Sequence, residues 1–436
     1  MRANGSRADV HDAKRGMDIH HGLDGNRRVA VERADHSRIV AERGGRGYVQ
    51  SRPYAYRGHE YARRTYYRDG RAYDRFYTRY SYHGVFINGY APAFYFAPAY
   101  YGWAYNPWVA PVPYAWGWGV ATPWFGFYGG FFAPYPVYPS ASIWLTDYLI
   151  SQSLAANYAA QQAAAQQQQQ LAADAAPLTP QVKDMIAEEV KRQIALENQE
   201  ATQTAANGTP DPASSGIARE LSDNIQHVFV AGSDLDVIDA GGTECAVSEG
   251  DALQLTGPPP ATATAADLIV LSSKGGVECK KGATVSVALA DLQEMQNHMR
   301  ETIDQGMADL QAKGGQGGLP AVPASAKAAP VQAQFAAIAP PPDPNGAQEV
   351  AQQAAEADKA EQEVAGQLPA DASGPSAAAG AAPAAAPTEI SLGQTIDQVT
   401  AILGTPKSIV DLGPKKIYVY KDMKIVFNGG KVSDVQ

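Results

Sequence analysis

Residues 91–140 hold 19 aromatic side chains and nine prolines, and not one charged residue. Proline removes a backbone donor and breaks helix interiors, so the run cannot be one long helix, and despite its apolar length it cannot be a membrane-spanning one. Proline also keeps it out of central strands. The expected form is a series of extended, polyproline-like pieces with rings packed on proline rings. Tyr and Trp favour positions with one apolar and one wet side, and an uncharged apolar segment makes a poor free surface. The run therefore reads as something that docks. It can form the private core of an N-terminal domain with its Tyr-rich neighbours. It can equally meet envelope proteins, a membrane or cell-wall surface, or copies of itself. Tyr100, Trp103, Tyr105, Trp108, Trp116, Trp118 and Trp124 are the candidate interaction residues.

Charge divides the chain around this run. Residues 1–90 carry 18 Lys+Arg against 10 Asp+Glu, a balance of +8, and the remaining residues bring the total to −10. Opposite signs in two parts of one chain suggest different surroundings or partners. The start, MRANGSRADVHDAKRG, is read as disordered over 1–16. It shows neither the apolar stretch of a signal peptide nor a nearby Cys for a lipid anchor. The other features favour the periplasm or outer membrane, so a mis-assigned start codon is the expected explanation, with a cytoplasmic location as the alternative.

From residue 17 the pattern is that of a β-meander: Val29 and Val31, then Ile39 and Ala41, alternate with polar residues between DGN, ADHS and RGGRG turn signals. His20, His21 and His36 lack metal-ligand spacing and read as polar strand positions. Between 48 and 90, Tyr and Arg interleave, with hairpin signals at RDG and YHG. Such residues could stack on nucleic-acid bases. Mutual stacking across strands is the simpler reading, and nucleic acid stands as the alternative partner.

The region 141–200 reads as helical. The first helix buries Trp144, Leu145, Tyr148, Leu149 and Leu154 and runs into an Ala/Gln tract. The second is capped by Thr179, starts at Pro180 and carries the stripe Val182, Ile186, Val190 and Ile194. Residues 215–312 read as a small β-barrel or sandwich of four to six strands, closed by a helix with Leu292, Met295, Met299, Ile303, Met307 and Leu310 on one side. Within it, VIDAGGTECAVSEGDALQLTG echoes VLSSKGGVECKKGATVSVAL. Cys245 and Cys279, the only cysteines, hold matching places, and in an oxidising compartment they are expected to pair. Residues 313–387, rich in Gly, Pro and Ala, read as a disordered linker, within which AQEVAQQAAEADKAEQEVAG is expected to be transiently helical.

The end of the chain, 388–436, reads as a small α+β module. Thr395 and Gln398 form a capping box, Val399, Ile402 and Leu403 share a face, and Gly404 and Pro406 stop the helix. Strands are expected at about 408–412, 415–421 and 423–427, with a fourth after the NGG turn signal. Gly393 and Thr395, Asp397-Gln398-Val399, Leu403-Gly404-Thr405-Pro406, Tyr418, Phe427 and Gly430-Lys431-Val432 resemble the SmpA/OmlA family, whose known member is the small lipoprotein of the outer-membrane barrel-assembly machinery. The resemblance implies a helix-plus-sheet fold, not membership in the barrel-assembly machinery. It departs from the family in lacking the lipid-bearing Cys and in having one helix before the strands. The Tyr/Trp-rich part, with PVYPSASIWLTDYLI, resembles uncharacterised bacterial envelope proteins.

The fold class expected is thus α+β and multi-domain. No GxSxG, HExxH, P-loop or dinucleotide glycine fingerprint stands in a strand–helix context, and GGQGG at 314–318 falls in the linker. The expectation is a non-enzymatic envelope protein with no catalytic residues, cofactor or metal.

Overall fold

The computed structural model describes residues 8–68, 70–163, 171–367 and 399, and the stretches 408–412, 415–420, 424–428 and 431–435. The architecture is α+β, in two compact units, Met1–Leu368 and Pro369–Gln436.

The first unit opens with a nine-stranded antiparallel sheet. Its strands are β1 (Asp9–Asp12), β2 (Met17–His21), β3 (Arg27–Glu32), β4 (Arg38–Glu42), β5 (Gly47–Gln50), β6 (Tyr54–Tyr56), β7 (His59–Arg68), β8 (Arg71–Tyr82) and β9 (Val85–Tyr90). They follow one another as a meander, except that β5 and β6 share one edge of the long β7. The strand period dictates the buried face: Met17, Ile19, Val29, Val31, Ile39, Ala41 and Val49 form one apolar cluster. The β8–β9 turn needs positive φ at both central residues, and His83 and Gly84 supply it at 49° and 77°. The disordered start expected over 1–16 is corrected from Asp9 onward. β1 pairs with β2, and His11–Asp18 at 2.6 Å and His20–Asp9 at 2.7 Å bridge the two strands. Residues 1–7 lie outside the described residues.

The aromatic run is more regular than its prolines suggest. It contains β10 (Phe94–Tyr95), α1 (Pro98–Tyr105), β11 (Pro107–Val112), α2 (Pro123–Tyr128) and β12 (Tyr138–Ser140). Pro98 and Pro123 occupy first-turn positions of α1 and α2, where the missing N–H costs nothing and the fixed φ suits a helix. Next come α3 (Ala141–Ala163), α4 (Pro180–Ala205) and α5 (Ile217–Glu220). Thr179 caps α4 by accepting from the Val182 N–H, and Val182, Ile186, Val190 and Ile194 are all buried.

The central β region consists of β13 (Val228–Val230), β14 (Leu235–Asp239), β15 (Glu244–Val247), β16 (Ala252–Leu255), β17 (Ala265–Val270) and β18 (Thr284–Ala288). They form one antiparallel sheet, not the two of a sandwich, with order β13-β16-β17-β18-β14-β15. The long α6 (Leu289–Lys313) follows. Its Leu292 and Met295 join the core of this sheet, whereas Met299, Ile303, Met307 and Leu310 join the aromatic core. One amphipathic stripe thus serves two cores in succession.

Residues 313–367 are folded, contrary to the linker expected there. β19 (Val331–Gln332) pairs with β10, α7 (Gln334–Ala337) buries Phe335 against Tyr61 at 4.3 Å, and α8 (Gly346–Gln367) lays Val350, Ala357 and Ala360 on the N-terminal sheet. The rest of that stretch, 368–387, lies outside the described residues.

In the second unit β20 (Ser408–Leu412), β21 (Lys415–Val419), β22 (Lys424–Asn428) and β23 (Lys431–Val435) form a four-stranded antiparallel meander. Val399, Tyr420, Ile425, Phe427 and Val432 make its core. Val399 is helical; the rest of the helix expected before the strands lies outside the described residues.

Candidate interaction surface

The seven rings singled out from the sequence mostly face inward. Tyr100 and Trp108 are buried, Trp103, Trp116, Trp118 and Trp124 are partly buried, and only Tyr105 is exposed. The expectation that these rings are themselves the docking surface is corrected for Tyr100 and Trp108. The reason lies in α3 and α4, which offer an apolar wall to the run. Trp116 stacks on Trp144 of α3 at 4.9 Å and on Trp118 at 5.2 Å, and Trp103 stacks between Tyr100 and Trp108. Some polar tips are satisfied, whereas Trp108 Nε1 and Trp144 Nε1 are buried without a hydrogen-bond partner. Trp116 Nε1 donates to Tyr138 Oη at 2.7 Å, and Tyr138 donates to Asp147 Oδ2 at 2.8 Å. Lys183 closes the group at 2.7 Å from Asp147, whose pKa burial raises even so.

What reaches solvent, apart from Tyr105, is the set of residues between the rings. From 111 to 119 the chain alternates: Val112, Tyr114, Trp116 and Trp118 lean on the core, while Pro111, Pro113, Ala115, Gly117 and Gly119 are exposed. Val109 is fully exposed, Ala110 is exposed, and Val120 is 89% exposed. The outer strip over 105–126 is therefore charge-free, rich in Pro, Gly and Ala, and braced from beneath by stacked rings. Small rigid residues lose little conformational entropy on docking.

Part of the Arg/Tyr segment turns inward as well, while Arg52, Arg57, Arg71 and Arg79 stay exposed. Arg64 lies over Tyr77 at 3.9 Å and forms a two-pronged pair with Glu294 of α6 at 3.0 and 2.8 Å. Tyr66 and Tyr77 hydroxyls meet at 2.8 Å, Tyr77 also donates to Glu301, and Arg75 lies 3.7 Å from Glu301. Burial lifts the Glu301 pKa to about 7, against the pull of Arg75. These cations stack across strands and pair with one acidic helix face.

Cys245 of β15 and Cys279 are joined by a disulfide, 34 residues apart. The second half of the echo differs from the first, since Cys279 follows an isolated bridge between Ala246 and Glu278 instead of lying in a strand. His20, His21 and His36 each face a carboxylate: Asp9 and Asp236, Glu361, and Glu32. One grouping had no sequence signal. Glu189, Glu220 and His227 converge from α4, α5 and the approach to β13. A cleft of about 460 Å³ beside α4 and α5 includes Gln199, Gln203, Ser214, Arg219 and Ser222, and its lining holds no His or Lys to activate either serine. Among the described residues, no helix is long and apolar enough to cross a membrane. No family model, curated protein or solved structure matches the chain.

Proposed function

We propose that the protein is a non-enzymatic interaction protein of the cell envelope, and that its charge-free strip over 105–126 docks on another envelope protein. The observation that carries this reading is the strip itself: Val109, Ala110, Pro111, Pro113, Ala115 and Val120 face solvent over a layer of packed rings. Apolar area of this kind is stabilised by about 25 cal/mol per Å² when covered. The Cys245–Cys279 disulfide supports an oxidising compartment such as the periplasm. The four-stranded C-terminal sheet supports a second binding module of the SmpA/OmlA kind.

The test is fractionation of the full-length protein carrying Val109→Asp and Val120→Asp together. Both positions are exposed, so the melting temperature stays near the parent value. The proposal expects the variant to leave the envelope fraction for the soluble one. Unchanged fractionation with unchanged stability counts against it.

A further inference from the structure

Glu189, Glu220 and His227 are all buried, and one ligand atom from each lies within 4.8 Å of the others. His227 Nδ1 faces Glu189 Oε2 at 2.9 Å, and its Nε2 faces Asp223 Oδ1 at 3.0 Å. Glu220 Oε1 accepts from Gln193 Nε2 at 2.6 Å and from Gln296 Nε2 at 2.5 Å. Gln193 Nε2 also reaches Glu189 Oε1 at 2.9 Å, and Arg192 donates to Glu189 Oε2 at 3.0 and 2.8 Å. The leftover capacity is all acceptor: Glu220 Oε2 and Gln193 Oε1 are buried and lack a hydrogen-bond partner. Glu220 is only 4% exposed, so an orphaned carboxylate oxygen there is costly.

We propose that Glu189, Glu220 and His227 form a binding site for one divalent transition-metal ion of the zinc class, with Asp223 as the positioning residue for the imidazole. One imidazole nitrogen and two carboxylate oxygens are a ligand set for such an ion. Asp223 on the far ring nitrogen fixes the orientation and raises the basicity of the coordinating one. Bonds of 2.0–2.2 Å place tetrahedral ligand atoms about 3.4 Å apart, so His227 Nδ1 and Glu189 Oε2 open from 2.9 Å while Glu220 draws in, and a water completes the shell. Any proton on Nδ1 leaves to solvent. The ion ties α4 and α5 to the edge strand β13, a structural role independent of the docking strip.

The experiment adds Zn²⁺ to chelator-treated full-length protein and follows calorimetry together with the nitrogen resonances of His227. One equivalent binds, and the Nδ1 resonance moves while Nε2 stays protonated. Glu220→Gln keeps the side-chain shape and weakens binding at least about ten-fold, and Asp223→Asn weakens it about 10–100-fold. A wild-type His227 signal indifferent to Zn²⁺ overturns the proposal, as does Glu220→Gln binding as tightly as wild type. Should either variant fail to fold, the wild-type resonance decides alone.

Discussion

His298 and Glu301 lie one turn apart on α6, and the fold pushes their protons in opposite directions. Burial, assisted by Arg68, lowers the His298 pKa to about 4, and its Nε2 lies 2.8 Å from Ser153 Oγ of α3. A depressed histidine contributes stability above its unfolded value, near 6.5, and that contribution is lost as pH falls toward 4. Glu301 is raised to about 7, so its contribution is complete below about 4.5 and is lost as pH rises through 7. Each group can change stability by at most about 1.4 kcal/mol per pH unit. Urea unfolding of His298→Gln between pH 4 and 7 should lose the acid-side decline relative to wild type. Glu301→Gln should lose the opposite decline between pH 4.5 and 7. Curves parallel to wild type would show that neither group is shifted. Neither assignment was legible in the sequence, because the groups that surround these side chains come from distant strands and helices.

At the scale of elements, α8 is held by two kinds of contact whose magnitudes differ. Its acidic side meets basic strands: Glu363 with Arg15, Glu361 with His21 and Arg27, Asp358 with Arg27, and Glu349 with Arg33. Asp358 is 60% exposed, and such pairs contribute about 0–1 kcal/mol each. Its apolar side buries Val350, Ala357 and Ala360. Val350→Asp should therefore detach α8 and cost several kcal/mol by placing an unpaired charge in the seam, a loss of roughly 3 kcal/mol or more. Asp358→Asn should cost less than about 1 kcal/mol. Amide exchange in β3 and β4 distinguishes the two: faster exchange in the first variant only is the expected result, and equal effects would mean that the ion pairs hold the helix. The sequence showed helix-forming potential over AQEVAQQAAEADKAEQEVAG but concealed its docking, because two of its three seam residues are alanines, which give no visible apolar stripe in an Ala-rich tract. By contrast, α4 and α6 were legible, since Val, Ile, Leu and Met recur on one face of each.

For the whole molecule, the disulfide offers the broadest test. Reducing Cys245–Cys279 removes a crosslink over 34 residues, worth roughly 3–4 kcal/mol by loop entropy. Thermal unfolding with and without reductant should show the first unit melting lower, and an unchanged melt would show that the bond adds nothing. The pairing was legible from the echo of the two Gly-Gly-x-Glu-Cys stretches. The meander and the C-terminal strands were legible from their period and turns. The burial of the aromatic run was not, because its wall is built by α3, α4 and α6. The Glu189–His227 grouping was missed for the same reason: its members are 38 residues apart and share no motif. The closing of the N-terminal sheet by α8 also has a consequence in time. A ribosome adds about 5–20 residues per second. Ile19 therefore waits roughly 17–70 s before Ala360, its neighbour in the finished core, exists. β10 waits in the same way for β19. The first ninety residues, basic and half-covered, leave the ribosome without their acidic lid, so this chain completes its fold only after most of it has been made.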